Sequence, residues 1–584
     1  MLSSDPLCNV LYVDLTRKRF RVEQRQDLFD KYLGGAGVAT QLLIESCTEG
    51  CDPLGPENPI ILAVGPLTGL FPLASKTVAM FKSPHTGNLG ESHCGGRSAI
   101  AIRMAGYGAI VIEGRSKVPV YLAIHGSDVH FRDASTLWGM SSSLTAGHVI
   151  REREAGSGLR TIMRIGLAGE KMVTYSCVAA ETYRHFGRLG LGAVFGSKNL
   201  KAVVVSGKRS LPVVDNKAYR SVYKGIHQAA TSSEVMKKYH DLGTAQNVLP
   251  LNKLGGFPTR NLLETKFEAA GEISGEAYAE KYLGRRLACS HCPVACIHIA
   301  ALREPHEAEP YFYKTSMISY DYEPIYAMGS MLGVGDPEGL LRLLDRAEVL
   351  GLDLMTTGPV LSWATEAQEK GFVSAKDTGG LNLSWGDWKT YLEATRRIVE
   401  QPNEFFAALA RGVDHASSIY GGEEFALALG GNEMPGYHTG PAAHVGCLMG
   451  ARHSHLDNAG YSVDQKVLIK GEMSPEALGD ALLEEESWRQ ILSSIVICFF
   501  AREIYDVDTV LECLKAAGFD LDANRLLKIG RDIHREKFRF KTREGFTFEG
   551  LRIPERILKT KAPATGLSEE YIRTALDHVR KALI

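Results

Sequence analysis

The rhythm of hydrophobic and polar positions changes once along this chain, near residue 212. Before it, short β-branched runs recur between turn residues. Five of them read as strands: Asn9 to Leu15, Pro59 to Val64, Ala109 to Glu113, Pro119 to Ile124 and Lys201 to Ser206. Glycine is dense around them, in Gly34-Gly35-Ala36-Gly37, Gly95-Gly96 and Gly187-x-x-Gly190-x-Gly192. From 213 onward the apolar period lengthens to that of a helix. Pro337 to Leu350 carries an apolar face that stops at Gly351, and Ser474-Pro475 places a capping serine before a first-turn proline. No internal repeat and no low-complexity linker is visible, so the predicted domains pack together directly.

Composition narrows the class. A length of 584 residues allows about three or four domains, and 45% hydrophobic with 23% charged residues is ordinary for a globular chain with a large core. A net charge of −2, with no basic arm, gives no electrostatic case for nucleic acid or an anionic membrane. The apolar run Ile495 to Ala501 is far short of the ~20 residues a membrane span needs. The N-terminus has no positive region followed by an apolar core, and no twin arginine. The 11 cysteines are an odd, scattered set, unlike a disulfide framework, and the expected compartment is the reducing cytoplasm.

Chemistry concentrates in Cys289-x-x-Cys292-Pro293-x-x-Cys296. Three thiols within eight residues can converge on one inorganic centre. Zinc sites usually pair their ligands two by two, so a triplet with a distant fourth reads better as a [4Fe–4S] cluster, with a zinc knuckle as the alternative. Cys498 reads either as that fourth ligand or as a helix thiol packed among Ile and Phe. The Gly187 segment superficially suggests a dinucleotide loop, but its sequel returns quickly to a strand. Two histidines, His453 and His455, stand with Arg452 and Asp457 in one short segment, and His438 and His444 form a looser group.

Several further motifs follow in order: Gly34-Gly35-x-Gly37, Gly65-Pro-Leu-Thr-Gly69, Lys82-Ser-Pro-x-Thr-Gly87, Gly95-Gly96 before Ala105-Gly-Tyr-Gly108, Gly187-Arg188, and Gly192-Ala-Val-x-Gly-Ser-Lys-Asn-Leu-Lys-Ala202. In this succession, with the cysteines, the chain resembles the tungsten-dependent aldehyde ferredoxin oxidoreductase family. The resemblance implies an α+β fold. A β-rich saddle domain spans 1–212, and two mainly helical domains, 213–425 and 426–584, enclose a buried bis-pterin metal cofactor.

The implied cofactors are tungsten, or molybdenum, on two pyranopterins, Mg2+ bridging their phosphates, and one [4Fe–4S] cluster. By resemblance Lys76, His93, Gly95, Arg184, His185, Gly187 and Arg188 face the pterins. Glu348, Leu352 and Asp353 form one pterin loop, and Phe499 borders the other. Cys289, Cys292, Cys296 and Cys498 hold the cluster. Glu323 stands nearest the metal, in the aromatic segment Tyr320 to Tyr326, with His455 or His453 as its partner in acid–base catalysis. Lys76 replaces an arginine and loses its planar fork, and His93 replaces an asparagine. Glu348 replaces an aspartate, and Ser493 to Cys498 keeps only the cysteine of its pattern. Arg342 and Asp345 stand where the family's archetype has a Glu-x-x-His iron pair between subunits, so that iron is not expected.

The activity implied is oxidation of an aldehyde to a carboxylic acid, with electrons leaving one at a time to ferredoxin or a small iron–sulfur subunit. The assembly is either a homodimer or a hetero-oligomer. One rival is a reductase of acyl-CoA thioesters or carboxylic acids. A second is a non-catalytic iron–sulfur subunit.

Overall fold

Two six-stranded sheets occupy the first part of the chain. The computed structural model describes residues 5–156, 158–181, 183–306 and 309–584. The first sheet holds β1 (Asn9–Asp14), β2 (Arg19–Gln24), β3 (Ile60–Ala63), β4 (Thr77–Lys82), β5 (Leu89–Cys94) and β6 (Ala109–Glu113), ordered β2-β1-β6-β3-β4-β5. The second holds β7 (Val120–His125), β8 (Asp128–Asp133), β9 (Leu159–Ile165), β10 (Val178–Ala180), β11 (Arg184–Phe186) and β12 (Leu200–Gly207), ordered β8-β7-β12-β9-β10-β11. The five strands expected from sequence are all present, with ends displaced by at most one residue. β3 and β12 are buried along their whole length, because both faces of each sheet are covered there.

The two orders are the same, and in each sheet the equivalent pair is parallel: β1 with β6, and β7 with β12. The expectation of no internal repeat is therefore corrected. The repeat lies in topology, which hydrogen-bond geometry preserves while side chains diverge. The edge strands β5 and β11 pack against each other, so Gly95-Gly96 and Gly187-Arg188 leave the two sheets at equivalent points.

The remainder is mainly helical. Asp336 accepts the Glu338 amide at 3.1 Å and caps Pro337–Leu350, which Gly351 ends at φ +82°. Ser474 accepts from Ala477 and starts Pro475–Ser494. Helix Gly35–Ser46 packs against Pro475–Ser494 and Ala523–Arg543, drawing the C-terminal helices onto the first sheet. Close backbone contact fixes that junction. A Cβ on Gly35 would lie 2.2 Å from the Ser493 carbonyl, and one on Gly65 2.6 Å from that of Ser494.

The helical reading beyond 213 missed two sheets, the smaller being the pair Ala428–Leu429 and Asn432–Glu433. β13 (Leu283–Leu287), β14 (Ile297–His306) and β15 (Glu309–Tyr320) form an antiparallel sheet, and the cysteine triplet is the loop between β13 and β14. The alternation at Ile297, Ile299 and Met317 to Tyr320 is the signal that predicts it. Among the described residues no helix is long and apolar enough to cross a membrane.

Candidate active site

One residue of the first domain ties the cysteine segments together. The Leu73 amide donates to the His291 carbonyl at 3.1 Å, and the Leu73 carbonyl accepts the Cys498 amide at 2.9 Å. Lys76 donates its own amide to Val496 at 3.3 Å. Cys498 lies outside the helix: Pro475–Ser494 has ended, and Val496 turns the chain at φ +60°. Cys289 packs on Gly95, where a Cβ would come within 2.8 Å of its sulfur and 3.5 Å of Arg184 Nε. Cys292 and Cys296 each lie within electrostatic reach of Cys289 and of Cys498, and all four are half-buried. Burial pushes the Cys292 thiol up to about 12. Among the described residues, no three His, Cys, Asp or Glu side chains draw together closely enough to hold a single ion.

Beside the cysteines, charged and polar side chains gather under the cover of the protein. Arg184, His185 and Glu323 keep partial accessibility although protein closes around them. Arg188 reaches across the domains, its Nη2 donating to the Glu433 carbonyl at 2.8 Å and its Nε lying 3.3 Å from Asp353. Asp353 also caps helix Leu354–Glu369 and accepts Thr356 Oγ1 at 2.7 Å. Leu352 presents backbone, bridging to Ser176, while its side chain is buried. Burial pushes the Glu348 carboxyl up to about 8, and His185 Nε2 stands 3.8 Å from it. A Cβ on Gly187 would meet nothing within 4 Å. His93 is turned onto Glu91 at 2.7 Å, with the Phe499 ring 6.1 Å from its own. Burial lowers His93 to about 4.

Glu323 and His455 meet nearby, both within the field of Arg188. Asp321 caps the short helix Tyr322–Met328 and so presents Glu323 in its first turn. The Gly436 amide donates to Glu323 Oε2 at 3.1 Å, and His455 Nε2 stands 3.3 Å from Oε1. A helix N-terminus favours a carboxylate, but desolvation outweighs it and raises Glu323 to about 8. Burial lowers His455 to about 3, with Arg188 adding to the shift. The pair is therefore a neutral acid beside a neutral imidazole. The aromatic rings of Tyr437, stacked on Tyr461, close over His455.

Three buried polar atoms here have no hydrogen-bond partner: Arg188 Nη1, Glu323 Oε1 and His455 Nδ1. Buried polar groups are nearly always satisfied, so this convergence marks a place shaped for something else.

His453 is not brought to the pair. Its φ of +53° turns it into the helical core, where Nδ1 donates to the Cys447 carbonyl at 3.1 Å and Nε2 accepts Lys541 at 2.9 Å. His438 and His444 bond each other at 3.0 Å. Arg342 donates to Glu304 at 2.8 Å and to Glu338 at 3.2 Å, so it is committed to ion pairing.

Residues 10–207 match the model of the aldehyde ferredoxin oxidoreductase N-terminal domain, and residues 221–583 match that of domains 2 and 3. The chain belongs to the aldehyde ferredoxin oxidoreductase family. Within that family it is 32% identical over 570 residues to the tungsten-containing aldehyde ferredoxin oxidoreductase of Thermococcus kodakarensis, covering 95% of this chain and 91% of that one. It is 31% identical over 568 residues to the enzyme of the same description from Pyrococcus furiosus, covering 94% and 91%. A P. furiosus aliphatic sulfonate oxidoreductase, WOR-like subunit, is 33% identical over 409 residues, covering 67% and 64%. Among solved structures, the active site complex BamBC of benzoyl coenzyme A reductase with 1,5-dienoyl-CoA superposes with a TM-score of 0.83 at 22% identity, covering 98% and 94%; that likeness concerns the fold.

Sequence reading of this family member missed Leu73, Gly436 and Tyr437. Leu73 and Gly436 contribute only backbone, which leaves no signal in residue type. Tyr437 is the one aromatic ring between Gly431 and Gly440 apart from His438, and its neighbours in sequence carry no signal that marks it.

Proposed function

We propose that this chain oxidises an aldehyde and water to a carboxylic acid, two protons and two electrons, and passes the electrons singly to an iron–sulfur acceptor. The observation that carries the reading is the neutral Glu323–His455 pair, held without water-exposed partners beside the cysteine cradle.

The residues fit a bis-pyranopterin metal group. Arg188 offers an unpartnered N–H, and Arg184, His185 and Lys76 would hold the phosphates, whose charge Mg2+ would help to balance. Glu348 and Asp353 offer carboxyl oxygens to pterin N–H groups, and Gly95 and Gly187 leave room for close approach. Cys289, Cys292, Cys296 and Cys498 suit a [4Fe–4S] cluster, whose breadth matches four neighbouring thiols that do not meet at one point. When bound, the tungsten or molybdenum group supplies the two-electron redox change, and the cluster supplies a one-electron exit.

The protein's own part is proton handling. A carboxyl near pH 8 is a strong enough base to accept a proton from water attacking the aldehyde, yet ionises near working pH. His455 can change tautomer, donating Nε2–H to the carboxylate or accepting the acid's proton, while the unpartnered Nδ1 is the point where a proton leaves. Tyr437 and Tyr322 keep bulk water from the pair.

The test is metal and pterin analysis of anaerobically purified protein, with an aldehyde panel assayed against a viologen. Metal-loaded protein that reduced a CoA thioester and oxidised no aldehyde would overturn the reading.

A further inference from the structure

One backbone strip, residues 433–436, supplies hydrogen bonds to both Arg188 and Glu323. At its start the Glu433 carbonyl accepts Arg188 Nη2 at 2.8 Å, and at its end the Gly436 amide donates to Glu323 Oε2 at 3.1 Å. Between them the Met434 carbonyl accepts the Tyr326 hydroxyl at 3.0 Å, and the Gly436 carbonyl accepts that of Tyr322. The strip continues the short strand Asn432–Glu433 and is stiffened by Pro435. Whatever holds Glu433 therefore sets where Arg188 and Glu323 stand relative to each other.

What holds it is an ion pair that the proton chemistry above does not use. Glu433 Oε2 meets His85 Nε2 at 2.8 Å, and the two side chains are 1% and 2% exposed. Glu433 Oε1 accepts the Val413 amide at 3.0 Å, at the start of helix Val413–Tyr420. Behind the pair, His85 Nδ1 faces Thr174 Oγ1 at 3.0 Å, and the Thr174 amide donates to the Ala410 carbonyl at 3.0 Å. Gly412 makes the room: its φ is +96°, and a Cβ there would lie 2.4 Å from His85 Cε1 and 3.0 Å from Glu433 Oε1. Desolvation would raise Glu433, but His85 and the Val413 amide outweigh it and keep the carboxyl below its ordinary value. A buried ion pair contributes little net stability, because the desolvation of both partners offsets their attraction. Its yield here is geometric, since both carboxylate oxygens are tied while the same residue's carbonyl holds Arg188.

We infer that Glu433, clamped by His85, is a positioning residue that keeps Arg188 and Glu323 in register for acid–base chemistry. The inference rests on the proposed function, because it needs Glu323 to be the group that exchanges the proton. Around Glu323 stand Arg188, Asp321, Asp353, His455 and Cys447, with the phenols of Tyr322, Tyr326, Tyr437 and Tyr461. Arg188 is the cation among them, and its charge opposes the desolvation that raises Glu323. Around Glu433 stand His85, Arg188, Asp353, Tyr175 and Asp414, the last bonded to Arg552.

The experiment uses enzyme loaded with its cofactors, an aldehyde and a viologen. In Glu433→Ala, kcat and kcat/KM are expected to fall together by about 10–100-fold at unchanged metal content. The limb of kcat/KM near pH 8 is expected to move up by about one unit as Arg188 draws away from Glu323. Glu433→Gln still accepts from Val413 and still reaches His85, so it should restore most of the rate. In a Glu323→Gln background Glu433→Ala should add little, because the group being positioned is gone. A limb left in place, or losses that add in full to those of Glu323→Gln, would make Glu433 structural and overturn the inference. Should Glu433→Ala fail to fold, His85→Gln, which leaves the carboxylate on Val413, is read in the same way, and an unmoved limb again overturns it. Loaded wild-type protein that oxidised no aldehyde, or showed no limb near pH 8, would instead remove the function on which the inference rests.

Discussion

His455 Nε2 stands 3.3 Å from Glu323 Oε1, and the two groups meet uncharged at neutral pH. An ion pair here would have to repay the desolvation of both partners, several kcal/mol each, and Gly436 supplies only one further hydrogen bond. Neutral partners avoid that cost, and the proton rests on Glu323. Two titrating groups pushed apart by one dry environment are a frequent mark of acid–base catalysis.

Glu323→Gln keeps the shape and removes the titrating group. Aldehyde oxidation should slow by roughly 10²–10⁴-fold, with tungsten and iron content unchanged. Near-wild-type turnover at full metal loading would make Glu323 structural.

The pH dependence follows from the same shift. Glu323 is raised from 4.5 to about 8, so between those values the unfolded chain has released a proton that the folded chain keeps. Its contribution to stability is therefore present at low pH and is lost as pH rises toward about 8. His455, lowered from 6.5 to about 3, acts oppositely: its contribution is lost as pH falls through that window. As the base form of Glu323 grows in, kcat/KM for the aldehyde should rise through about pH 8, and Glu323→Gln should flatten that limb. A limb unchanged in the variant would assign the titration elsewhere.

His453 and His455 should separate by phenotype. His455→Asn is expected to lower turnover while the unfolding midpoint stays put. His453→Ala leaves Lys541 without its imidazole acceptor, at a cost of about 1–3 kcal/mol, while the rate per folded, metal-loaded chain is retained. Urea titration alongside the viologen assay reads both, and the reverse pattern would exchange the two roles.

Cys498→Ala should lose or convert the four-iron EPR signal. Cys8→Ala and Cys513→Ala should not, since those thiols are buried in the apolar core. Gly35→Ala provides a geometric counterpart: with φ at +34° and Ser493 in the way, it should destabilise by at least about 1 kcal/mol and displace the segment leading to Cys498. An intact cluster in Cys498→Ala would refute its role as a ligand.

Iron analysis should return about four atoms per fully loaded chain. Arg342 is a cation already bonded to Glu304 and Glu338 and offers no ligand. A fifth, chelator-labile iron would show a second site elsewhere.

The sequence by itself determined five strands of the first part of the chain, the capped helix ending at Gly351, the cysteine triplet and the ordered glycine motifs, because each depends on local backbone preference or on spacing along the chain. The glycines show the limit of that reading: their type announced close backbone approach, but not that Ser493 and Ser494 were what approached. Tertiary structure decided the rest. The duplicated sheets are invisible in residues because hydrogen-bonded order survives the loss of side-chain similarity. His455 was only narrowly favoured over His453 in sequence until a left-handed backbone at His453 sent that side chain to Lys541 and left His455 facing Glu323. Glu323 was marked in the sequence by its aromatic segment, but its partners, the Gly436 amide and His455, come from distant stretches that only the tertiary structure brings to it.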